Sequence, residues 1–333
     1  MLQDPGPAAV LAAVRSFVAR HGAPDQPLVV ACSGGADSLA LALAARSALA
    51  GTGRPVLAAT VDHGLQAGSA DRAAATADEL AGIGYQQVRV LTVQVSGSGG
   101  LEAAARRARY GALRQLAERV ARPGPPCPVL LAHTADDQAE TVLLGLARGS
   151  GPRSIAGMRP WRPPWGRPLL GVTRADTEAT CLAAGLTLWD DPHNIDPAFT
   201  RVRLRREVLP LLDEVLGGGV RGALARTAGL MAQDLDALDE LARAVLAGVT
   251  APDGSLDAPA LAAQPAAIIG RVLRDWAAAG GARPLGHQQL TRMVAQVRDR
   301  AGPPQVRISG GLDVVRTGDV VRLQPSRPAA IGR

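Results

Sequence analysis

Short apolar runs and longer amphipathic stretches alternate along the first half of the chain. The runs typical of buried strands lie at 28–31, 56–61, 88–95 and 129–132. The stretches with helical spacing lie at 8–20, 39–50, 69–83, 101–121 and 133–148. Strands that alternate with helices favour an α/β fold, in which a doubly wound parallel sheet has helices on both faces.

The second half of the chain has a different pattern. It predicts a helix at 174–184, a short strand at 186–189 and a helix at 199–212, and three glycines at 217–219 then interrupt the chain. A long helical connector and a smaller α+β domain follow, with helices at 220–247, 264–279 and 286–299 and strands at 305–309, 312–316 and 319–323. We therefore predict a larger domain over 1–216 and a second over 217–333.

The most informative stretch is A-C-S-G-G-A-D-S-L, which joins the first strand to the next helix. Glycines allow a backbone turn with positive φ and a close approach to a ligand, and the unpaired N–H groups of a helix start attract anions. Asp37 makes sense beside phosphates if Mg²⁺ lies between them. The alternative is an ordinary capped turn. The candidate phosphate-binding residues are Ser33, Gly34, Gly35, Ala36, Asp37 and Ser38.

A second polar stretch follows the fourth strand. His133 is followed by Asp136, Asp137 and Glu140, and a spacing of three to four residues can place the acids on one side of a helix start. In an open α/β sheet, ligands bind at the carboxyl ends of the strands. The alternative is that the acids only cap the helix and match its dipole.

Composition narrows the chemistry. The chain contains no lysine, so all 36 basic residues are arginine, which excludes a Walker-type lysine and a lysine Schiff base. The three cysteines, Cys32, Cys127 and Cys181, show no C-x-x-C spacing, so we expect neither disulfides nor a zinc site. No apolar run is long enough to span a membrane and no signal pattern is present, so we expect a cytoplasmic protein without a membrane partner.

The arginines are unevenly distributed. Residues 148–174 hold six arginines with Trp161 and Trp165 and no acid, and another arginine cluster occupies 201–206. With a net charge of +6, such a pattern permits a nucleic-acid partner. Simple solvation of the arginines explains it as well.

Five stretches together resemble the bacterial tRNA(Ile)-lysidine synthetases, within the superfamily of N-type ATP pyrophosphatases. They are Ser33–Ser38, Val61–Leu65, Glu102 with 105–107 and 109–110, Ala132–Thr141, and Asp191–Pro210. Gln66 stands where the family commonly has arginine, and Thr134 where it commonly has a second histidine. These departures affect only the roles of those two side chains.

The resemblance implies a fold like that of adenine nucleotide alpha hydrolases, with strands one and four adjacent. It implies a PP-loop catalytic domain over 1–216 and a substrate- or tRNA-binding domain over 217–333. The implied reaction joins free L-lysine to C2 of the wobble cytidine of tRNA(Ile) with a CAU anticodon. ATP is consumed through an adenylated cytidine, with Mg²⁺ as cofactor, and a homodimer is one compatible assembly.

The resemblance also implies residue roles. The catalytic candidates are Asp37, His133, Asp136 and Asp137, and Asp37 is the candidate metal ligand. The substrate-binding candidates are Asp137, Glu140, Arg106, Arg109, Arg201, Arg203 and Arg205. For Arg106, a salt bridge to Glu102 is an equally good explanation.

Three rival interpretations remain open. An amidotransferase-type synthetase would need an ammonia source, and the chain shows no glutaminase signature. A tRNA thiolation enzyme would need paired or catalytic cysteines. A non-catalytic RNA-binding homologue would explain the arginines but not Asp37 and the acids at 136–140.

Overall fold

A computed structural model describes residues 5–21, 25–65, 68–96, 100–149, 151–186 and 199–326. The chain divides into two compact units, Met1–Ala232 and Gln233–Arg333. This division falls inside a long helix, whereas the sequence pattern placed the domain boundary after residue 216. The domain roles stay predictions.

The helices are α1 (Pro5–His21), α2 (Ala36–Ala48), α3 (Ser69–Gly82), α4 (Leu101–Val120), α5 (Ala135–Ala147), α6 (Pro152–Ile155), α7 (Arg174–Ala183), α8 (Thr200–Arg203), α9 (Leu209–Leu216), α10 (Val220–Val249), α11 (Ala258–Ala262), α12 (Ala266–Ala279) and α13 (His287–Arg298). The strands are β1 (Leu28–Ala31), β2 (Val56–Asp62), β3 (Val88–Thr92), β4 (Val129–Leu130), β5 (Trp161–Arg162), β6 (Trp165–Gly166), β7 (Leu256–Asp257), β8 (Gln305–Ile308), β9 (Leu312–Thr317) and β10 (Val320–Pro325). None of the helices in these ranges is long and apolar enough to cross a membrane.

The first unit is built on a six-stranded sheet with the order β3-β2-β1-β4-β6-β5. Every neighbouring pair is parallel except β5 and β6. Val30 of β1 pairs with Ala58 on one side and with Leu130 on the other. The predicted α/β fold and the adjacency of strands one and four are confirmed. The strand order reverses between β1 and β4, which is where ligands bind in such sheets.

The alternation of side chains along β1 explains why helices cover both faces. Leu28 and Val30 belong to a core that includes residues of α1, α2 and α7. Val29 belongs to a second core, built with residues of α4. Successive strand residues point to opposite faces, so an uninterrupted apolar strand requires two covered faces.

Two parts of this unit differ from the predicted pattern. The stretch 148–174 contains α6 and the hairpin of β5 and β6, whose two-residue strands are too short to leave a periodic signal. The predicted helix at 199–212 is divided by a π-helical turn at Leu204–Val208, which ends just before Pro210. Proline has no N–H to donate to a helical ladder. The predicted strand at 186–189 lies largely outside the described residues.

The second unit is a small α+β domain, as predicted. Its four-stranded sheet has the order β7-β10-β9-β8, and each neighbouring pair is antiparallel. Helices α11, α12 and α13 contribute Leu261, Trp276 and Met293 to its core. The three predicted strands and two predicted helices are present, while the short β7 and α11 were not predicted.

Candidate active site

The loop between β1 and α2 is organised by the hydroxyl group of Ser38. It donates to the Gly35 carbonyl oxygen at 2.9 Å and accepts from the Ser33 backbone N–H at 3.1 Å. The Ser33 Oγ lies 3.3 Å from the Ser38 Oγ. These contacts within the chain fix the shape of the loop.

Gly34 allows this loop to turn. Its φ is +82°, a region that L side chains rarely adopt, and a Cβ added there would lie 2.6 Å from Thr76 Oγ1. Gly35 then caps α2 with an extended backbone (φ −80°, ψ 159°). Because the first N–H groups of a helix have no intrahelical partners, the start of α2 suits an anion such as a phosphate.

Asp37 lies in the first turn of α2 and is held from α7. Thr177 Oγ1 donates to Asp37 Oδ1 at 2.5 Å, and an Arg174 guanidinium nitrogen lies 3.9 Å from Oδ2. Burial raises the pKa of Asp37 to about 6, although Thr177 and Arg174 oppose that shift. The negative charge of this carboxylate is therefore only partly balanced, so the side chain is suited to coordinate a cation.

His133 follows β4 and borders the same space. Burial, together with the charges of Arg167, Arg106 and Arg109, lowers the pKa of His133 to about 3. Its Nδ1 is shielded from solvent and has no hydrogen-bond partner among the described residues. The imidazole is thus neutral near pH 7.

Asp137 caps α5 and also faces the cavity. Its Oδ2 accepts from the Thr134 backbone N–H at 2.9 Å and from the Thr134 hydroxyl at 3.2 Å. Its Oδ1 lies 3.4 Å from Arg205. The side chain therefore takes part in capping the helix and also borders the cavity.

Asp136 has a different environment. Its Oδ2 accepts from the backbone N–H of Arg174 at 2.9 Å, and its Oδ1 lies 3.0 Å from Nε of Arg221, which also pairs with Asp213. The carboxylate therefore ties the start of α5 to the starts of α7 and α10.

Glu140 is fully buried. Arg205 Nε donates to its Oε1 at 2.7 Å, and an Arg201 nitrogen lies 3.6 Å from its Oε2. Burial raises the pKa of Glu140, and Arg205 opposes the shift. A buried carboxylate is normally paired in this way.

A cavity of about 420 Å³ joins the loop after β1 to the stretch after β4. The sequence-predicted residues that line it are Ser33, Gly35, Ala36, Asp37, Ser38, Arg109, His133, Asp137 and Arg205. The other predicted site residues do not line it; they are Gly34, Arg106, Asp136, Glu140, Arg201 and Arg203.

The remaining arginine candidates have local partners. Arg106 donates to the Tyr110 hydroxyl at 3.1 Å, and Arg203 pairs with Glu207 at 2.9 Å with both side chains more than half exposed. Trp165 is buried against Tyr110, and Trp161 stacks on His21. Both tryptophans therefore pack within the protein. The motif residues at 191–194 lie outside the described residues.

Sequence reasoning did not assign Arg174, Thr177 or Arg221 to the site, although it counted Arg174 among the six arginines of 148–174. Arg174 and Thr177 are one helical turn apart and both reach Asp37. A threonine inside a helix carries no functional signal of its own. Only the packing of α7 against α2 brings it to the carboxylate.

The cysteines are free and buried in the two cores of the sheet. Burial raises the pKa of the Cys127 thiol to about 11 and that of Cys181 to about 12. Among the described residues, no three His, Cys, Asp or Glu side chains are grouped to hold a metal ion. A buried thiol with a raised pKa is a poor nucleophile.

Comparisons with known proteins agree with this fold. A PP-loop domain family matches residues 10–212, and a TilS substrate-binding domain family matches residues 256–321. Among solved structures, a U34-tRNA thiolase of Methanococcus maripaludis with its [4Fe-4S] cluster aligns with a TM-score of 0.55 at 15% identity, over 69% of this chain and 80% of that one. At that identity the likeness shows the fold alone.

Curated relatives are closer in sequence. The tRNA(Ile)-lysidine synthase of Rhodococcus opacus is 51% identical over 98% of this chain and 95% of its own length. That of Nocardia farcinica is 52% identical over 91% of this chain and 92% of its own. That of Mycobacterium tuberculosis H37Rv is 52% identical over 82% of each chain. The chain therefore belongs to the tRNA(Ile)-lysidine synthase family.

Proposed function

We propose that this protein ligates free L-lysine to C2 of the wobble cytidine of tRNA(Ile) with a CAU anticodon. The cytidine O2 attacks the α-phosphorus of ATP and pyrophosphate leaves. The ε-amine of lysine, after losing a proton, then attacks C2 and AMP leaves with O2. The products are lysidine, AMP and pyrophosphate, and the tRNA then reads AUA in place of AUG.

One observation carries the proposal: the loop after β1 and the acidic start of α5 line one cavity at the point where the strand order reverses. The loop offers backbone N–H groups and hydroxyls, which suit the phosphates of ATP. The stretch after β4 offers Asp137 and a neutral His133, which suit an amine and its proton. Adenylation followed by amine attack needs both sets side by side.

The loop residues fit ATP with Mg²⁺. Proteins commonly hold Mg²⁺ with one or two carboxylates together with substrate phosphates, and Asp37 is an incompletely compensated carboxylate at the phosphate loop. When bound, the ion would neutralise charge on the departing pyrophosphate. The Ser33 hydroxyl and the N–H groups at the start of α2 would hold the same group through hydrogen bonds, while Ser38 holds the loop through its bonds to Ser33 and Gly35.

Asp137 is our proposed direct contact for the amines of lysine, since it borders the cavity. Glu140 would act indirectly. Its contact with Arg205 fixes a guanidinium group that lies 3.4 Å from Asp137. Of the three candidate proton acceptors, His133 and Asp137 border the cavity and Asp136 does not, although the lowered pKa of His133 makes it a weak base. These positions favour His133 or Asp137 over Asp136.

The tRNA would meet the arginine-rich surface. Arg203 is exposed, and its neighbour Arg201 is partly exposed. Arg205 differs from both, because its guanidinium lines the cavity and binds Glu140. We propose Arg201 and Arg203 as phosphate contacts and Arg205 as part of the lysine pocket. The homodimer stays a prediction, which sedimentation analysis would test.

The decisive experiment incubates the purified protein with ATP, lysine and an unmodified CAU-anticodon tRNA transcript. We expect lysidine on nucleoside analysis and AMP as the nucleotide product. ADP as the product would overturn the pyrophosphatase chemistry. A matched transcript with a changed wobble base is the negative control, because it offers no cytidine O2.

The thiolation rival is disfavoured by one observation. Cys32, Cys127 and Cys181 are all buried, and none of them lies in a C-x-x-C pair; Cys32 borders the cavity, but burial raises the pKa of its thiol. A sulfur-transfer enzyme needs a reachable thiolate. Omitting lysine separates the two reactions, because thiolation needs a sulfur donor instead.

A further inference from the structure

The two carboxylate oxygens of Asp37 have different surroundings. Oδ1 accepts a hydrogen bond from the Thr177 hydroxyl at 2.5 Å, and Thr177 is fully buried and does not line the cavity. Oδ2 lies 3.9 Å from a guanidinium nitrogen of Arg174, which is beyond hydrogen-bond distance, and Asp37 and Arg174 both border the cavity. One oxygen therefore faces the protein, and the other is open to a ligand in the cavity.

Thr177 is firmly placed to hold Oδ1. Its hydroxyl also lies 2.7 Å from the Arg174 carbonyl oxygen, so its single proton has two acceptors, and an ionised carboxylate is the stronger of them. Cys181, the next residue of α7 on the same side, donates its thiol hydrogen to the Ala36 carbonyl oxygen at 3.3 Å. Helix α7 is thus joined to the start of α2 at two points, which fixes the direction of the Asp37 carboxylate.

The number of oxygens that a carboxylate offers influences which cation it holds. Mg²⁺ is small and octahedral, and proteins hold it with one or two carboxylates together with phosphates and water. Ca²⁺ is larger, takes about six to eight oxygens and is often chelated by both oxygens of one carboxylate. A carboxylate with one oxygen engaged by a buried hydroxyl therefore suits Mg²⁺ better than Ca²⁺.

We propose that Thr177 is a positioning residue that restricts Asp37 to coordination through Oδ2, and that it thereby makes the nucleotide site select Mg²⁺ over Ca²⁺. This inference rests on the proposed function, in which Asp37 holds the ion that accompanies ATP. It goes beyond that function because it assigns the choice of ion to a buried side chain of α7 that lies outside the cavity.

The test compares Thr177→Val, which keeps the shape of the side chain but removes the hydroxyl, with Thr177→Ser, which keeps the hydroxyl. Thr180→Val is the matched control, because Thr180 is a buried threonine of the same helix whose hydroxyl donates to the Asp176 carbonyl oxygen at 2.7 Å. The affinity of the full chain for α,β-methylene-ATP is measured with Mg²⁺, with Ca²⁺ and with a chelator alone. A mildly alkaline buffer, above the pKa of about 6 to which burial raises Asp37, keeps this carboxylate ionised.

We expect the wild type to bind the analogue more tightly with Mg²⁺ than with Ca²⁺. In Thr177→Val this preference should fall by roughly 10- to 100-fold, the effect of losing one hydrogen bond to a charged group. The affinity of this variant without metal should stay unchanged. Thr177→Ser and Thr180→Val should both keep the wild-type preference.

Three results would overturn the proposal. An unchanged preference in Thr177→Val would show that the hydroxyl does not direct the carboxylate. Equal weakening with Mg²⁺, with Ca²⁺ and with the chelator would show that Thr177 only stabilises the packing of α7. A wild-type affinity that is the same under all three conditions would remove Asp37 from metal binding altogether.

Circular dichroism establishes that each variant is folded, and Thr177→Ala replaces Thr177→Val if the valine variant does not fold. The lysidine assay of the wild type is scored separately. Lysidine formation together with an unchanged preference in the variant refutes only the role of Thr177. Absence of lysidine together with the expected shift in preference refutes the proposed function and leaves the role of Thr177 in place.

Discussion

Replacing Gly34 with alanine should damage the phosphate loop through two separable effects. The first is conformational, because φ at Gly34 is +82° and an L residue pays about 1–2 kcal/mol in that region. Alanine also restricts the unfolded chain, which returns about 0.4–1 kcal/mol, so the net loss is roughly 1 kcal/mol. The second effect is steric, since the new Cβ would lie 2.6 Å from Thr76 Oγ1 and the loop or α3 must shift.

The assay combines urea unfolding with ATP binding for Gly34→Ala, Thr76→Ala and the double variant. We expect Gly34→Ala to lose ATP affinity. The loss should be smaller when Gly34→Ala is introduced into the Thr76→Ala variant than when it is introduced into the wild type, because the obstructing oxygen is gone. Gly111→Ala in α4 is the control; it has open space around it and should be neutral or stabilising. A Gly34→Ala variant with wild-type ATP affinity and stability would refute this account of the loop.

Four further predictions follow from single contacts. Asp37→Asn should leave the fold intact and abolish turnover, since a neutral amide is a weak Mg²⁺ ligand. Near-normal turnover at saturating Mg²⁺ would show that Asp37 only stabilises the start of α2. Glu140→Gln should cost about 1.5–3 kcal/mol in urea unfolding and raise the lysine requirement while sparing ATP, because the buried acceptor of the Arg205 hydrogen bond loses its charge; equal weakening of both substrates would contradict this. Arg203→Ala should flatten the salt slope of tRNA binding by about 0.7–0.9 without affecting ATP, and an unchanged slope would remove it from the interface. Hydrogen bonds from Ser255 lower the pKa of Asp253 from 3.8 to about 2. The ionised carboxylate therefore stabilises the fold above pH 3.8, and this stabilisation is lost as the pH falls through about 2. Melting temperatures of wild type and Asp253→Asn that keep a constant difference over this pH range would argue against it.

Much of the fold could be predicted because β1 and β4 at the centre of the sheet consist entirely of apolar residues. A strand such as β1 must be covered on two sides, which specifies helices on both faces of a parallel sheet. The adjacency of β1 and β4 came instead from the family resemblance. The hairpin of β5 and β6 could not be predicted, because strands of two residues leave no periodicity. The π-helical turn at 204–208 was also missed, since its sequence is compatible with an ordinary helix.

Some of the site residues could be predicted from the sequence, and others could not. Residues within the loop after β1 are sequence neighbours, so their spacing alone indicated their common role, and the structure places Ser33, Asp37 and Ser38 on the cavity. Arginines that were grouped by sequence separate in space: Arg203 is exposed, while Arg205, two residues on, is turned toward Glu140. Helical geometry sends neighbouring residues in different directions, and only the three-dimensional fold reveals which one meets a buried acid.

The hydrogen bond from Thr177 to Asp37 has a consequence for how the protein matures on the ribosome. Its two ends are 140 residues apart in the chain. At about 5–20 residues synthesised per second, the loop would emerge roughly 7–28 s before its α7 partner. A nascent chain that has folded β1 to β4 therefore still has an unsupported Asp37, and the nucleotide site matures only after α7 has left the exit tunnel. Truncated chains ending before and after α7, released from stalled ribosomes, should differ sharply in ATP binding.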